Sequence, residues 1–164
     1  MYLCEKFHLN KRIMRKEILF RGKCVSDSKY AGEWVTGGYV PLSEDITPNK
    51  EGLIMRFLGG DTTITYHVDS DTVGQFTGLL DKHGKQVFGG DIVECVSWNE
   101  YFSKDGQPME SFIRKMYVDF RKGGFKMVEP MPEPMKDNEL DIIYNGDIVV
   151  IGNVYDNPDV LSSK

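Results

Sequence analysis

Two corners of the same composition, Gly90-Asp91-Ile92-Val93 and Gly146-Asp147-Ile148-Val149, constrain this chain more than any other feature. In each, glycine and aspartate break the chain and feed directly into a β-branched run suited to a sheet buried on at least one face. The first corner follows Asp81-Lys82-His83-Gly84, a polar turn in which aspartate bonds nearby backbone and glycine takes positive φ without steric cost. Gln75–Leu80 and Lys85–Phe88 therefore read as a hairpin. Short strands joined by such tight corners predict a small, strongly curved β-barrel. No long amphipathic helix is visible, and seventeen glycines with 12% aromatic residues favour β over α.

The rest of the chain reads the same way. Glu17–Val25 predicts a strand, 26–32 a loop, and Glu33–Val40 its antiparallel partner. A proline-punctuated connection follows. Leu53–Leu58 and Thr62–Val68 flank Gly59-Gly60-Asp61, a second hairpin signature, so the first half is a sheet of two hairpins. Asp69 to Thr72 suits the cap of a brief helical turn. Beyond Val96, residues 97–106 read as a loop or a short helical turn, and 109–120 as a strand entering Arg121-Lys122-Gly123-Gly124. Phe125–Val128 returns from that turn. Residues 129–141 hold three prolines and five acids and predict an exposed loop. Asp147–Tyr155 closes the core, and Asn157-Pro158 ends the ordered structure or starts a final turn.

With 164 residues the chain suits one domain, or one barrel with a substantial appendage. A net charge of −5 and pI near 5.2 argue against bulk attraction to nucleic acid or anionic membrane, while leaving room for a local basic patch. Cys4, Cys24 and Cys95, odd in number and irregular in spacing, suit free thiols in a reducing cytoplasm. No apolar run approaches the ~20 residues that span a bilayer, and no hydrophobic block with a cleavage site opens the chain. The expected compartment is the cytoplasm, with no membrane partner.

Candidate chemistry is sparse. His8, His67 and His83 lie far apart with no cysteine or carboxylate at metal-ligand spacing, so no metal site is predicted. Asp91 and Asp147 invite comparison with paired catalytic carboxylates, but the favoured reading has each tying down its own turn through backbone N–H groups. The pairs Gly37-Gly38, Gly59-Gly60, Gly89-Gly90 and Gly123-Gly124 lack the Gly-Lys-Ser/Thr ending of a phosphate loop, and Ser103 and Ser111 lack a Gly-x-Ser-x-Gly elbow. No catalytic residue and no cofactor are therefore predicted. Arg114, Lys115, Arg121, Lys122 and Lys126 interleave with Tyr117, Phe120 and Phe125, a combination that holds single-stranded nucleic acid by phosphate contact and base stacking. Against it, Asp119 interrupts the patch, and the favoured reading is a hairpin with aromatics inward and charges solvated. A second basic cluster, Lys11, Arg12, Arg15 and Lys16, sits near the N-terminus.

Four blocks carry a family resemblance. They are Arg15–Lys23 with Gly32-Glu33-Trp34-Val35; Thr72–Leu79 with Asp81–Lys85; Phe88–Val93; and Val150–Pro158. Together, in this order from about Met14 to Leu161, they resemble the YopX family of phage and prophage proteins. Gly89 departs from the pattern, standing where relatives often carry an acidic residue. The resemblance implies a prophage origin and a mainly β protein with an SH3-type barrel core, and it supplies no catalytic residue. The expected organisation is an N-terminal extension at 1–13, disordered or in irregular contact; an additional antiparallel β region at 14–68; and the SH3-type small barrel at 69–161, with little helix. The function expected is a non-enzymatic binding or assembly module that self-associates as a homo-oligomer or binds a protein partner. Nucleic-acid binding by the 114–126 hairpin is the alternative.

Overall fold

The computed structural model describes residues 18–25, 29–43, 50–97, 112–131, 135–142 and 148–162. Glycine-bearing turns recur too often for long helices to form between them, and the described residues fold into eleven strands. The first six are β1 (Phe20–Lys23), β2 (Trp34–Pro41), β3 (Glu51–Gly59), β4 (Thr62–Asp69), β5 (Gly74–Leu80) and β6 (Gln86–Phe88). The others are β7 (Asp91–Ser97), β8 (Phe112–Arg121), β9 (Gly124–Glu129), β10 (Asn138–Asp141) and β11 (Val149–Asn153). A 3₁₀ turn at Ser70–Thr72 and a short helix α1 at Asp159–Ser162 complete the described chain. No helix among the described residues is long and apolar enough to cross a membrane.

The strands pair as two antiparallel sheets, one in the order β4-β3-β2-β1-β5-β6 and the other β10-β9-β8-β7-β11. The mainly β expectation holds. A single closed ladder does not describe the hydrogen bonding, because glycine-aspartate corners specify where a strand bends and not which neighbour it acquires. The expected division after residue 68 falls inside β4, before its last residue, and β5 beyond it pairs with β1 through Phe20↔Gln75 and Arg21↔Gly74.

Turn chemistry sets the register locally. Lys122 and Gly123 both take positive φ (52° and 81°), the conformation of a two-residue turn that follows the right-handed strand twist, so Arg121 pairs with Gly124 and β8 returns as β9. The predicted hairpins β3/β4 and β5/β6 form as well. At the 3₁₀ turn Asp69 caps through its side chain, which accepts from the Asp71 amide at 3.0 Å. Buried Thr72 accepts from the Lys23 amide at 2.9 Å and donates to the Asp69 carbonyl at 2.7 Å, tying this turn to β1.

Two cores result. The first sheet rolls until the end of β1 meets β4: Cys24 bridges to Val68, and the Val25 amide donates to the His67 carbonyl at 3.1 Å. This encloses Cys24, Ile54 and Val68, with Tyr30, Val35, Tyr39, Tyr66 and Val73 around them. The larger core gathers Val93 and Cys95 of β7, Met116 and Val118 of β8, Met127 of β9, and Val150 of β11. The β5/β6 hairpin covers it with Leu79 and Val87.

The loop expected at 129–141 is overturned, as is the inward packing expected of all the hairpin aromatics, since Phe120 is exposed. The 129–141 segment, expected to be an exposed loop, contains β10, whose four residues pair from Asn138↔Glu129 to Asp141↔Lys126. Its acids do not keep it in solvent, because they stand across from cations: Asp141 pairs with Lys126, and Glu139 meets Lys122 at 2.7 Å and Arg121 at 3.2 Å. Opposite charges across a strand pair and the open edge of β9 favour a ladder over a loop.

Candidate functional site: an arginine bridging two sheets

Alternation along β1 directs Arg21 away from the first core, toward the corner where β7 begins. There its guanidinium meets the carboxylate of Asp91, Nη2 to Oδ1 at 2.6 Å. Asp91 is fully buried, and its other oxygen accepts the Phe88 amide at 2.8 Å. The Arg21 guanidinium lies 4.7 Å from the centre of the Trp34 ring and 4.9 Å from that of Phe88. Its Nε is buried without an acceptor among the described residues. The two ring faces supply the attraction in its place. Burial pushes the Asp91 carboxyl above its ordinary value, against the pull of Arg21 and of the Phe88 amide.

The chain end closes over this pair. Tyr155 packs against Trp34 with ring centres 6.0 Å apart and planes tilted by 43°, and Gly90 beside its ring takes φ 83°, a conformation that favours glycine. Asp156 receives Lys23 Nζ at 2.5 Å, Trp34 Nε1 at 2.7 Å and Asn153 Nδ2 at 3.1 Å. A second stitch lies at the β5/β6 turn. Asp81 accepts the His83 and Lys85 amides on one oxygen and the Val150 amide on the other, while the Lys82 amide donates to the Ile148 carbonyl at 3.0 Å. Burial works to raise the Asp81 carboxyl, but the amides of Lys85, Val150 and His83 outweigh it and hold it low.

Four stretches far apart in sequence thus converge on one junction: Arg21 and Lys23, Trp34, Phe88 to Asp91, and Asn153 to Asp156. The family model described as YopX protein matches residues 22–162. The chain belongs to the YopX family. Apart from Arg21, which immediately precedes the matched span, the whole junction is built from YopX-matched sequence. No curated protein matches the chain. Among solved structures it is similar to the crystal structure of protein EF1440 from Enterococcus faecalis, with 19% identity and a TM-score of 0.45 over 88% of this chain and 98% of that one.

The structure places the other candidates as follows. Asp91 ties its own turn through the Phe88 amide, as expected, and also makes the ion pair that sequence reading missed; Asp147 lies outside the described residues. Four cations of the 114–126 hairpin meet carboxylates. Arg121 contacts Asp119, Asp137, Glu139 and the Tyr117 hydroxyl, Lys122 meets Glu139, Lys126 meets Asp141, and Arg114 lies 3.7 Å from Glu129. Lys115 also has an interaction partner. Hydrogen bonding to Asp119, then to Glu139 and Asp137, raises Arg121 further above its ordinary value. His67 contacts Glu51 at 3.2 Å, and the His83 amide serves the Asp81 turn. Cys24 and Cys95 are free and buried, and burial pushes both thiols up, away from the thiolate that nucleophilic chemistry needs. His8, Cys4, Ser103, Ser111, the 1–13 extension and the Lys11, Arg12, Arg15, Lys16 cluster lie outside the described residues.

An open groove of about 540 Å³ runs beside β2 and β3, lined by Ile18, Thr36, Met55, Arg56, Phe57 and Gln86 among others. It has one ionisable group in its lining, Arg56, and does not include Asp91.

The junction has a pH signature. The hydrogen bonds from Lys23, Asn153 and Trp34 hold the Asp156 carboxyl down at about 2, from an ordinary 3.8. A lowered acid contributes its stability above the unfolded value and loses it as pH falls through the folded one. Asp156→Asn is therefore expected to flatten the acid limb of stability between about pH 5 and pH 2. Thermal melts at stepped pH check this, and parallel acid limbs for the two proteins would count against it.

Proposed function

We propose that the chain is a non-catalytic binding and assembly module, encoded by a prophage and acting in the bacterial cytoplasm, whose C-terminal half is an SH3-type barrel. The observation that carries this reading is the use made of Asp91. Its two oxygens are taken by the Arg21 guanidinium and the Phe88 amide, so the buried carboxylate at the centre of the family-matched sequence joins two sheets. The barrel reading draws support from the stitch of the β5/β6 turn to Ile148 and Val150, which brings that hairpin against β11 over one core. Self-association draws support from exposed sheet edges, which folded proteins cover or pair. Sedimentation equilibrium over a concentration series tests it. Mass rising with concentration supports an assembling module, and a strict monomer that retains no host protein removes the reading.

The alternative, nucleic-acid binding by the β8/β9 hairpin, has weaker support because its cations would have to exchange carboxylates for phosphates. The expected result is no retention of labelled single or double strands at low salt. Salt-sensitive retention abolished by Arg121→Glu, Lys122→Glu and Lys126→Glu together would reverse the preference.

A further inference from the structure

The β3/β4 hairpin outruns the sheet that supports it. Pairing of β3 with β2 stops at Gly38↔Met55, whereas pairing with β4 continues through Arg56↔Ile64 and Phe57↔Thr63 to Gly59↔Thr62. The tip is thus a two-stranded ribbon, an arrangement that is marginal in water without a third strand or a covering layer. Phe57 is 76% exposed on it and Leu58 57%.

Between Thr62 and Tyr66 its outer edge is unpaired among the described residues. The His67 carbonyl faces outward, where it accepts the Val25 amide, and the Ser70 amide faces inward to the Lys50 carbonyl. The two-residue period then points the amides and carbonyls of Thr63 and Thr65 outward. Among the described residues nothing hydrogen bonds to them. Between Thr62 and Tyr66 the edge holds three threonines, an isoleucine and a tyrosine, with no charge and no proline, the devices that ordinarily block edge pairing.

We propose that this edge is the interface with a second copy of the chain, two β4 strands pairing antiparallel about a two-fold axis near Ile64. The proposal rests on the assembly reading above and names its surface. A two-fold there sets Thr63 against Thr65 of the second copy, and Thr65 against Thr63, closing four N–H···O=C bonds with no like charges opposed. The same pairing gives each ribbon its third strand, and extends a sheet face over the row that contains Phe57. Self-pairing is favoured over a foreign peptide because an unpaired ribbon of this form is present in every copy and is complementary to itself.

Thr65→Pro removes an amide that points outward and leaves the ladder to β3 intact. By sedimentation equilibrium it is expected to weaken dimerisation at least about 100-fold, while Thr65→Val leaves it unchanged. Hydrogen exchange on the unaltered chain provides the second measurement: the Thr63 and Thr65 amides should become protected as concentration rises. A dimer insensitive to Thr65→Pro, or an oligomer whose Thr63 and Thr65 amides exchange alike at all concentrations, overturns this interface and leaves the assembly reading standing. Protection appearing only with an added foreign strand also overturns it. A strict monomer removes this interface, and one that also retains no host protein removes the assembly reading with it.

Discussion

Arg21→Met should lower the unfolding free energy by about 3–5 kcal/mol at neutral pH, the usual cost of leaving one member of a buried ion pair behind. Methionine fills the space between the Trp34 and Phe88 rings, so the loss is that of an uncompensated Asp91 more than of packing. Its pH dependence identifies the cause. Burial already raises the Asp91 carboxyl, and without Arg21 it rises further. A raised acid contributes stability when protonated and loses it as pH rises through the folded value. The deficit of Arg21→Met should therefore be full at neutral pH and shrink on acidification. Adding Asp91→Asn keeps an acceptor for the Phe88 amide and removes the charge, so the double variant should recover about 2 kcal/mol relative to additivity. Urea midpoints of the four proteins at two pH values measure it. Additive losses independent of pH would mean that the ion pair does not join the sheets.

The junction shows where sequence reading succeeds and where it stops. Asp69, Lys122-Gly123 and the Asp81 oxygen that takes the His83 and Lys85 amides act within a few residues of themselves, and their turns were legible because turn chemistry is local, whereas the Asp81 bond to Val150 was not. Arg21 is separated from Asp91 by seventy positions, and no local pattern links them. The available signal was a lone cation inside the β-prone run Leu19-Phe20-Arg21-Gly22, at a position that alternation turns toward other structure. Asp156 was read as part of a terminal block, and its engagement of Lys23 and Trp34 depends on the same long-range approach. The basic hairpin was legible as a cluster, but its charge balance was not. The acids that neutralise it lie in 129–141, where prolines and carboxylates suggested a loop, and they become partners only once β10 lies beside β9. Corners reveal strands and their bends. Which strand neighbours which follows from side chains meeting across the whole fold.

Gly74→Ala is the sharpest test of how β5 meets the Gly89-Gly90-Asp91 corner. A Cβ at Gly74 would stand 2.0 Å from the Gly89 carbonyl oxygen and 2.9 Å from its carbon, both backbone atoms that cannot rotate away. Either β5 leaves β1, breaking Arg21↔Gly74, or the corner moves and takes Asp91 from its guanidinium. The expected cost is about 3 kcal/mol, the upper part of the range for overpacking a filled interior. Gly89→Ala is the informative partner, because a Cβ at Gly89 meets nothing nearer than 3.7 Å. Only the Gly74 side of the contact is closed to a side chain. Gly124→Ala, with open space around its Cβ, controls for the general effect of replacing glycine in a strand. Urea unfolding should therefore rank Gly74→Ala far below the other two at unchanged slope. Three similar midpoints would mean that β5 and the corner do not approach this closely.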